Sequence, residues 1–283
     1  MKKSIALFLL VGSIGFAHNS FAQTACQTSN GAVTDTNQNC WAQPQSLKTT
    51  IFKIGLCTAQ PTAPTASTPI DLSSCQTVFL NSSGSEISIV KGVATTLTGT
   101  ITKPAVGSYT YAYAIVSPVF KQSTLLTFTP ARTNLPSSGA PSSGTVCWSK
   151  QGDFYSYRST RATDLVECGS VAPSSIGETS SKSNIVGVDS QRNPLMSKDL
   201  GSITAHLVDS SYKTAVSSAG SMGNISYVVG VMPASSPWVV SASTKNLDIS
   251  FNVTSGTTVE INDIGTQIEA FGSGPFAPVI TLN

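Results

Sequence analysis

The chain has 283 residues, with 16 basic and 14 acidic side chains, and only 11% of its residues are charged. So even a balance gives no electrostatic case for a nucleic-acid or anionic-membrane partner. The abundance of Ser, Thr, Gly and Asn disfavours helices, because these side chains compete for backbone hydrogen bonds.

The first 22 residues read as a cleavable signal peptide. Lys2 and Lys3 form a basic start, Ile5 to Phe16 is mostly apolar, and Ser20-Phe21-Ala22 places small residues where a peptidase cuts. The apolar run is shorter than the roughly 20 residues a membrane helix needs. A mature chain beginning at Gln23, secreted or on the surface of a Gram-negative bacterium and with no membrane span, is therefore expected. Removing Lys2 and Lys3 from the 16 basic residues leaves 14, equal to the 14 acidic ones.

All six cysteines, Cys26, Cys40, Cys57, Cys75, Cys147 and Cys168, follow the cleavage site. An even count in an exported chain points to disulfides. Of the connectivities open to six cysteines, the sequential one (Cys26–Cys40, Cys57–Cys75, Cys147–Cys168) is favoured. Each of its loops, roughly 15 to 22 residues, is worth about 3 kcal/mol in the chain-entropy model. No C-x-x-C spacing suggests a redox or zinc site.

Residues 23–46 read as a polar arm outside the core, and residues 47–283 as a β-sandwich region with a loop-rich insertion at about 130–200. Ile51 to Leu56 is the first strand, and Ala59 to Leu72 a long Pro/Thr/Ser-rich loop. Val78 to Leu80 and a strand marked by Ile87, Ile89 and Val93 flank a hairpin turn at residues 81–85, where Gly84 suits positive φ. Next, Tyr109, Tyr111, Tyr113 and Ile115 alternate with Thr110, Ala112, Ala114 and Val116, a period-2 strand signal. Further strands are expected at 125–128, 203–208, 225–232, 238–240, 247–253, 258–261 and 279–282. Leu247, Ile249, Phe251 and Val253 alternate cleanly, and Ser255-Gly256 suggests a hairpin into Thr257 to Ile261. Short strands at this spacing fit one enlarged sandwich or two sandwiches.

The segment Pro104-Ala105-Val106-Gly107-Ser108-Tyr109 resembles the Pro-x-x-Gly-x-Tyr turn that precedes a strand in transthyretin-like and immunoglobulin-like sandwich domains of secreted bacterial surface proteins. The resemblance spans about a dozen residues and implies an immunoglobulin-like or transthyretin-like sandwich architecture, which the expected disulfides would staple, not an activity.

No catalytic constellation is legible. His206 is the only histidine of the mature chain, and its alternation with Ala205 and Leu207 places it on the polar side of a strand. The carboxylates of Asp164, Glu167, Asp248, Glu260 and Asp263 are scattered, and Gly220-Ser221-Met222-Gly223 is not a nucleophile elbow. No metal ligand set and no cofactor fingerprint is present. The residues open to a ligand are aromatic. Tyr109, Tyr111 and Tyr113 would stand in a row roughly 7 Å apart on one strand face, and Trp148, Phe154, Tyr155 and Tyr157 would form a second patch. The expected protein is therefore not an enzyme but a secreted structural or adhesive surface protein. It could be a filament subunit that self-associates by exchanging the arm before Leu47 or the last strand, Phe276 to Leu282. The alternative is a glycan- or ligand-binding sandwich using Tyr109, Tyr111, Tyr113 and Trp148. A secreted hydrolase ranks behind both.

Overall fold

The computed structural model describes residues 24–35, 39–90, 97–136, 139–155, 165–184, 186–188, 194–200, 203–218, 221–245, 247–262, 265–274 and 277–282. The signal segment, Val93, Tyr157, Asp164, Asp263 and Phe276 lie outside them. Among the described residues there is no helix, and hence none long and apolar enough to cross a membrane.

The strands in chain order begin with β1 (Thr24–Ala25), β2 (Thr28–Ser29), β3 (Ala32–Val33), β4 (Cys40–Ala42), β5 (Ser46–Cys57), β6 (Cys75–Ile89), β7 (Thr100–Ile101) and β8 (Gly107–Ser123). There follow β9 (Leu125–Asn134), β10 (Ser143–Ser149), β11 (Gly152–Tyr155), β12 (Val166–Gly169), β13 (Thr179–Lys182), β14 (Gly187–Val188), β15 (Pro194–Leu195) and β16 (Ser197–Asp199). The chain closes with β17 (Thr204–Val208), β18 (Tyr227–Val240), β19 (Leu247–Asn252), β20 (Thr257–Ile261), β21 (Gln267–Ser273) and β22 (Ala277–Leu282).

Two large sheets result. The first runs β16-β17-β18-β8-β5-β6-β7, with β13 and β11 added beside the end of β8; the second runs β1-β4-β20-β21-β9-β10-β12. The two share one nearly continuous stretch, because β8 passes through Thr124 straight into β9. The corner is sealed by polar groups with partners. Buried Gln122 donates its amide to the Phe271 carbonyl at 2.7 Å, and the Thr124 and Thr257 hydroxyls meet at 2.9 Å. Buried polar side chains without such partners would cost about 1–3 kcal/mol each.

Each face of the first sheet buries its own apolar set. Leu47, Ile51, Leu56, Phe79, Ala112, Ala114, Val116 and Met232 lie on one face, where Ile249, Phe251 and Ile280 of the β19–β22 ribbon pack against them. Cys57, Tyr113, Ile115, Val208, Val229 and Val231 form a separate cluster with Ile70, from the 58–74 loop. That loop is knitted to the 209–226 loop: the Ile70 amide donates to the Tyr212 carbonyl, and the Thr214 amide to the Thr65 carbonyl, both at 2.9 Å. The second sheet buries Val33, Phe128, Val259, Ile261, Ile268 and Phe271.

The three disulfides are Cys26–Cys40, Cys57–Cys75 and Cys147–Cys168. The last two join residues directly opposite each other on antiparallel strands, Cys57 with Cys75 and Cys147 with Cys168, so each fixes a register covalently. Three closed disulfides fit an oxidising, extracytoplasmic setting.

Several expectations from the sequence are corrected. The 23–46 arm is not outside the core: β4 pairs with β20, and Val33, Cys40 and Ala42 are buried in the second sheet. Within the 130–200 stretch, β10 is an interior strand between β9 and β12. Residues 81–85 do not reverse the chain. Leu80 faces Lys53 and Ser85 faces Ile51 on the same strand, so the four residues between them bulge opposite Phe52. Gly84 still needs its positive φ of 83°, and a Cβ there would run into Thr50 Cγ2 and lie 2.9 Å from Phe52 Cε1. Finally, 247–252 and 257–261 are not hairpin partners. β19 pairs with β22 and β20 with β21 and β4, because Phe251 and Val259 serve different cores on either side of the turn at Thr254-Ser255.

Candidate functional site

The tyrosine row does not survive as one exposed face. Opposite Thr110, β18 carries four residues between Pro233 and Trp238 where a regular ladder would place one, and the facing of β8 changes there. Tyr109 belongs with Ala112 and Ala114 in one core, whereas Tyr111 and Tyr113 belong with the other. Tyr109 is 1% exposed and gives its hydroxyl to the Ala105 carbonyl at 2.8 Å. Tyr113 is 2% exposed, with its hydroxyl 2.8 Å from Thr77 Oγ1. Burial pushes the Tyr113 hydroxyl above its ordinary pKa, against the smaller opposing effects of the Thr77 hydrogen bond and the Lys53 charge. Tyr111 alone of the three stays half-buried. Trp148 is buried in β10, with its ring under Gly169, and Phe154 is buried against Leu165 and Ala270. These two therefore fill space.

A different aromatic group stands at the surface of the Tyr113 face. In β5, the bulge shared with β6 and β8 puts consecutive residues, Phe52 and Lys53, on the same side. Phe52 meets Tyr227 edge to face, with centroids 5.1 Å apart. Tyr227, at the start of β18, stacks on Tyr212 at 5.4 Å and 21°. The Lys53 ammonium lies 5.2 Å from the centroid of the Tyr212 ring. All four residues are half-buried, so the ledge has an apolar floor and a wet rim. Aromatic pairs in these geometries are worth about 0.5–1.5 kcal/mol each beyond area burial, and an exposed cation–π contact about 0.5–1 kcal/mol.

The backbone that presents Tyr212 is held tightly. Tyr212 has φ of 61°, a left-handed conformation that costs an ordinary residue about 1–3 kcal/mol. Asp209 sustains it: its carboxylate accepts the Ser211 amide at 2.8 Å and the Lys213 amide at 3.0 Å, and its carbonyl accepts the Tyr212 amide at 3.0 Å. The Tyr212 carbonyl in turn takes the Ile70 amide, tying the ledge to the loop closed by Cys57–Cys75. A residue forced into this conformation by flanking hydrogen bonds marks a position the fold holds in place.

Two other groupings carry less chemistry. His206 faces inward, not outward as its alternation suggested. It is 4% exposed, its Nδ1 lies 2.8 Å from Ser197 Oγ on the edge strand β16, and burial lowers its pKa so that the neutral ring is favoured. Cys26, Asp35 and Cys40 come within metal-binding distance of one another, but both sulfurs are consumed in a disulfide and an Asp35 oxygen accepts the Gln27 amide, so the trio does not suit a cation. Glu167 lies beside Lys150 at 3.7 Å on the surface.

Sequence reading missed the ledge because its parts lie at positions 52–53, 212 and 227 and meet only through strand pairing and the docking of the 209–226 loop. The one local signal was Tyr212 following Asp209-Ser210-Ser211, a turn-forming run. No family model, curated protein or solved structure matches the chain.

Proposed function

We propose that the mature chain is a secreted adhesive protein of the bacterial cell surface, a rigid β scaffold that acts by binding through the Phe52–Tyr227–Tyr212–Lys53 ledge. The observation that carries the reading is the ledge itself: stacked aromatics with a solvent-reachable rim, held on a sheet whose register one disulfide locks. Aromatic faces beside polar groups suit the apolar C–H faces and hydroxyls of a sugar ring. The export segment at 1–22 and the closed disulfides support the extracellular setting, and the layered all-β architecture supports an enlarged immunoglobulin-like or transthyretin-like sandwich. The test is a glycan array and whole-cell binding with the mature protein and its Tyr212→Ala variant. Binding that the variant lacks supports the reading, and equal binding by the two proteins refutes it.

A second reading, a filament subunit, is favoured by the β19–β22 ribbon. This C-terminal pair belongs to neither large sheet and caps the Leu47/Ala112 face through Ile249, Phe251 and Ile280, with a Trp238 indole bond of 3.2 Å to the Ile280 carbonyl. A strand so placed is suited to exchange between subunits. Fibres in electron micrographs that vanish when residues 277–283 are deleted would support it, whereas a strictly monomeric protein at millimolar concentration would end it.

A further inference from the structure

We propose that the ledge takes an acidic saccharide, one whose ring stacks on the aromatic rim and whose carboxylate or sulfate reaches the Lys53 ammonium; this rests on the adhesive reading above. The charges around the ledge point there. Lys48, Lys121, Lys150 and Lys182 each lie beside a carboxylate, at Glu178, Glu86, Glu167 and Asp153. Lys53 has no carboxylate in salt-bridge range among the described residues; it sits over the Tyr212 ring instead. Lys213, the next residue after Tyr212, likewise has none, and the one acid of that loop, Asp209, is spent on backbone amides. Among the described residues, Lys53 thus stands without a carboxylate beside a half-exposed aromatic ladder, and Lys213 follows Tyr212 in the same loop. Gln60, whose side chain meets the Tyr111 hydroxyl at 3.5 Å, and Thr77, bonded to Tyr113, add exposed polar groups on the same side of the sheet.

A neutral sugar would use the aromatic rim and leave the ammonium solvated. An anionic one would replace the cation–π contact with a charge-assisted hydrogen bond, the stronger of the two.

The experiment uses the disulfide-intact mature protein and chemically matched polymers: dextran sulfate against dextran, and polygalacturonate against its methyl ester. The acidic member of each pair is expected to bind at least about tenfold more tightly, as a charge-assisted contact implies. Lys53→Gln should weaken that binding about five- to tenfold and lower its salt dependence, while Lys53→Arg should restore it. Lys103→Gln, which removes a lysine bonded to the Ala242 carbonyl at another edge of the sheet, should leave it unchanged. Thermal unfolding of each variant is measured alongside to confirm the fold. If Lys53→Gln and Lys103→Gln weaken binding equally, the retention is nonspecific ion exchange and the proposal is overturned. If acidic and neutral polymers bind alike and Tyr212→Ala abolishes both, the acidic ligand is refuted while the adhesive ledge stands. If none of the four polymers binds, the acidic-saccharide proposal fails, and the glycan array decides the adhesive reading separately.

Discussion

Replacing Cys57 and Cys75 together by alanine removes the rung that joins β5 to β6 and closes the 58–74 loop. The sequence separation is 18 residues, for which the chain-entropy relation gives about 3 kcal/mol of lost stability at room temperature. Cys57 is fully buried beside Ile70 and Tyr113, so the missing sulfur leaves a small void that brings the loss to about 3–4 kcal/mol. Against a total stability of about 5–15 kcal/mol, that is a large share. The other two disulfides lie in the second sheet and remain. Urea unfolding of the oxidised mature protein measures the change, and the slope should rise slightly as the unfolded chain loses a constraint. The loss should also be local: the Ile70 amide, bonded to the Tyr212 carbonyl, should exchange far faster, while amides of β20 and β21 slow-exchange as before. A loss below about 1 kcal/mol, or an Ile70 amide that is unaffected, would refute the claim that this disulfide holds the loops beneath the ledge.

Further outcomes are expected elsewhere. Gly84→Ala forces a side chain into a positive-φ bulge against Thr50 and Phe52 and should cost about 2–4 kcal/mol, read as a lower denaturant midpoint at unchanged slope. Arg132, 1% exposed, donates to the carbonyls of Gly265 and Asp35 and so ties the N-terminal strands to the second sheet. Arg132→Ala should cost about 3–5 kcal/mol, and Arg132→Met less, because it keeps the packing over Phe128. Burial lowers the His206 pKa below its ordinary 6.5. The unfolded chain therefore binds the proton more readily, and the contribution of the neutral ring is complete above about pH 6.5 and lost as pH falls below it. His206→Gln should flatten that limb of the stability–pH curve, and an unchanged acid limb would show that other groups govern it.

Where the sequence was legible, local pattern and final environment agreed. Within the alternation of Leu247, Ile249, Phe251 and Val253, the last three pack in or against the core of the first sheet, and Leu247–Asn252 is a strand. The cysteine spacing favours neighbours pairing with neighbours, as they do. Legibility failed where strand partners were decided at long range. Cys40 to Ala42 reads as polar arm because its sheet partner, Thr257 to Val259, lies more than two hundred residues away. Tyr109 reads as one of a row because nothing in Tyr109–Val116 announces the extra residues that β18 inserts opposite Thr110. The ledge was invisible for the same reason. Phe52 and Lys53 share a face because Phe52 is an extra residue of β5 against β8, where Ile51 and Lys53 face the consecutive Val116 and Ile115, and a strict period-2 reading puts them on opposite sides.

The central claim is that binding occurs at the ledge. Hydrogen exchange of the mature protein, with and without the glycan selected by the array, tests it most directly. The account predicts slowed exchange concentrated at 209–213, at Phe52-Lys53 and at Tyr227. Slowed exchange confined to the β19–β22 ribbon, with the ledge unchanged, would contradict it.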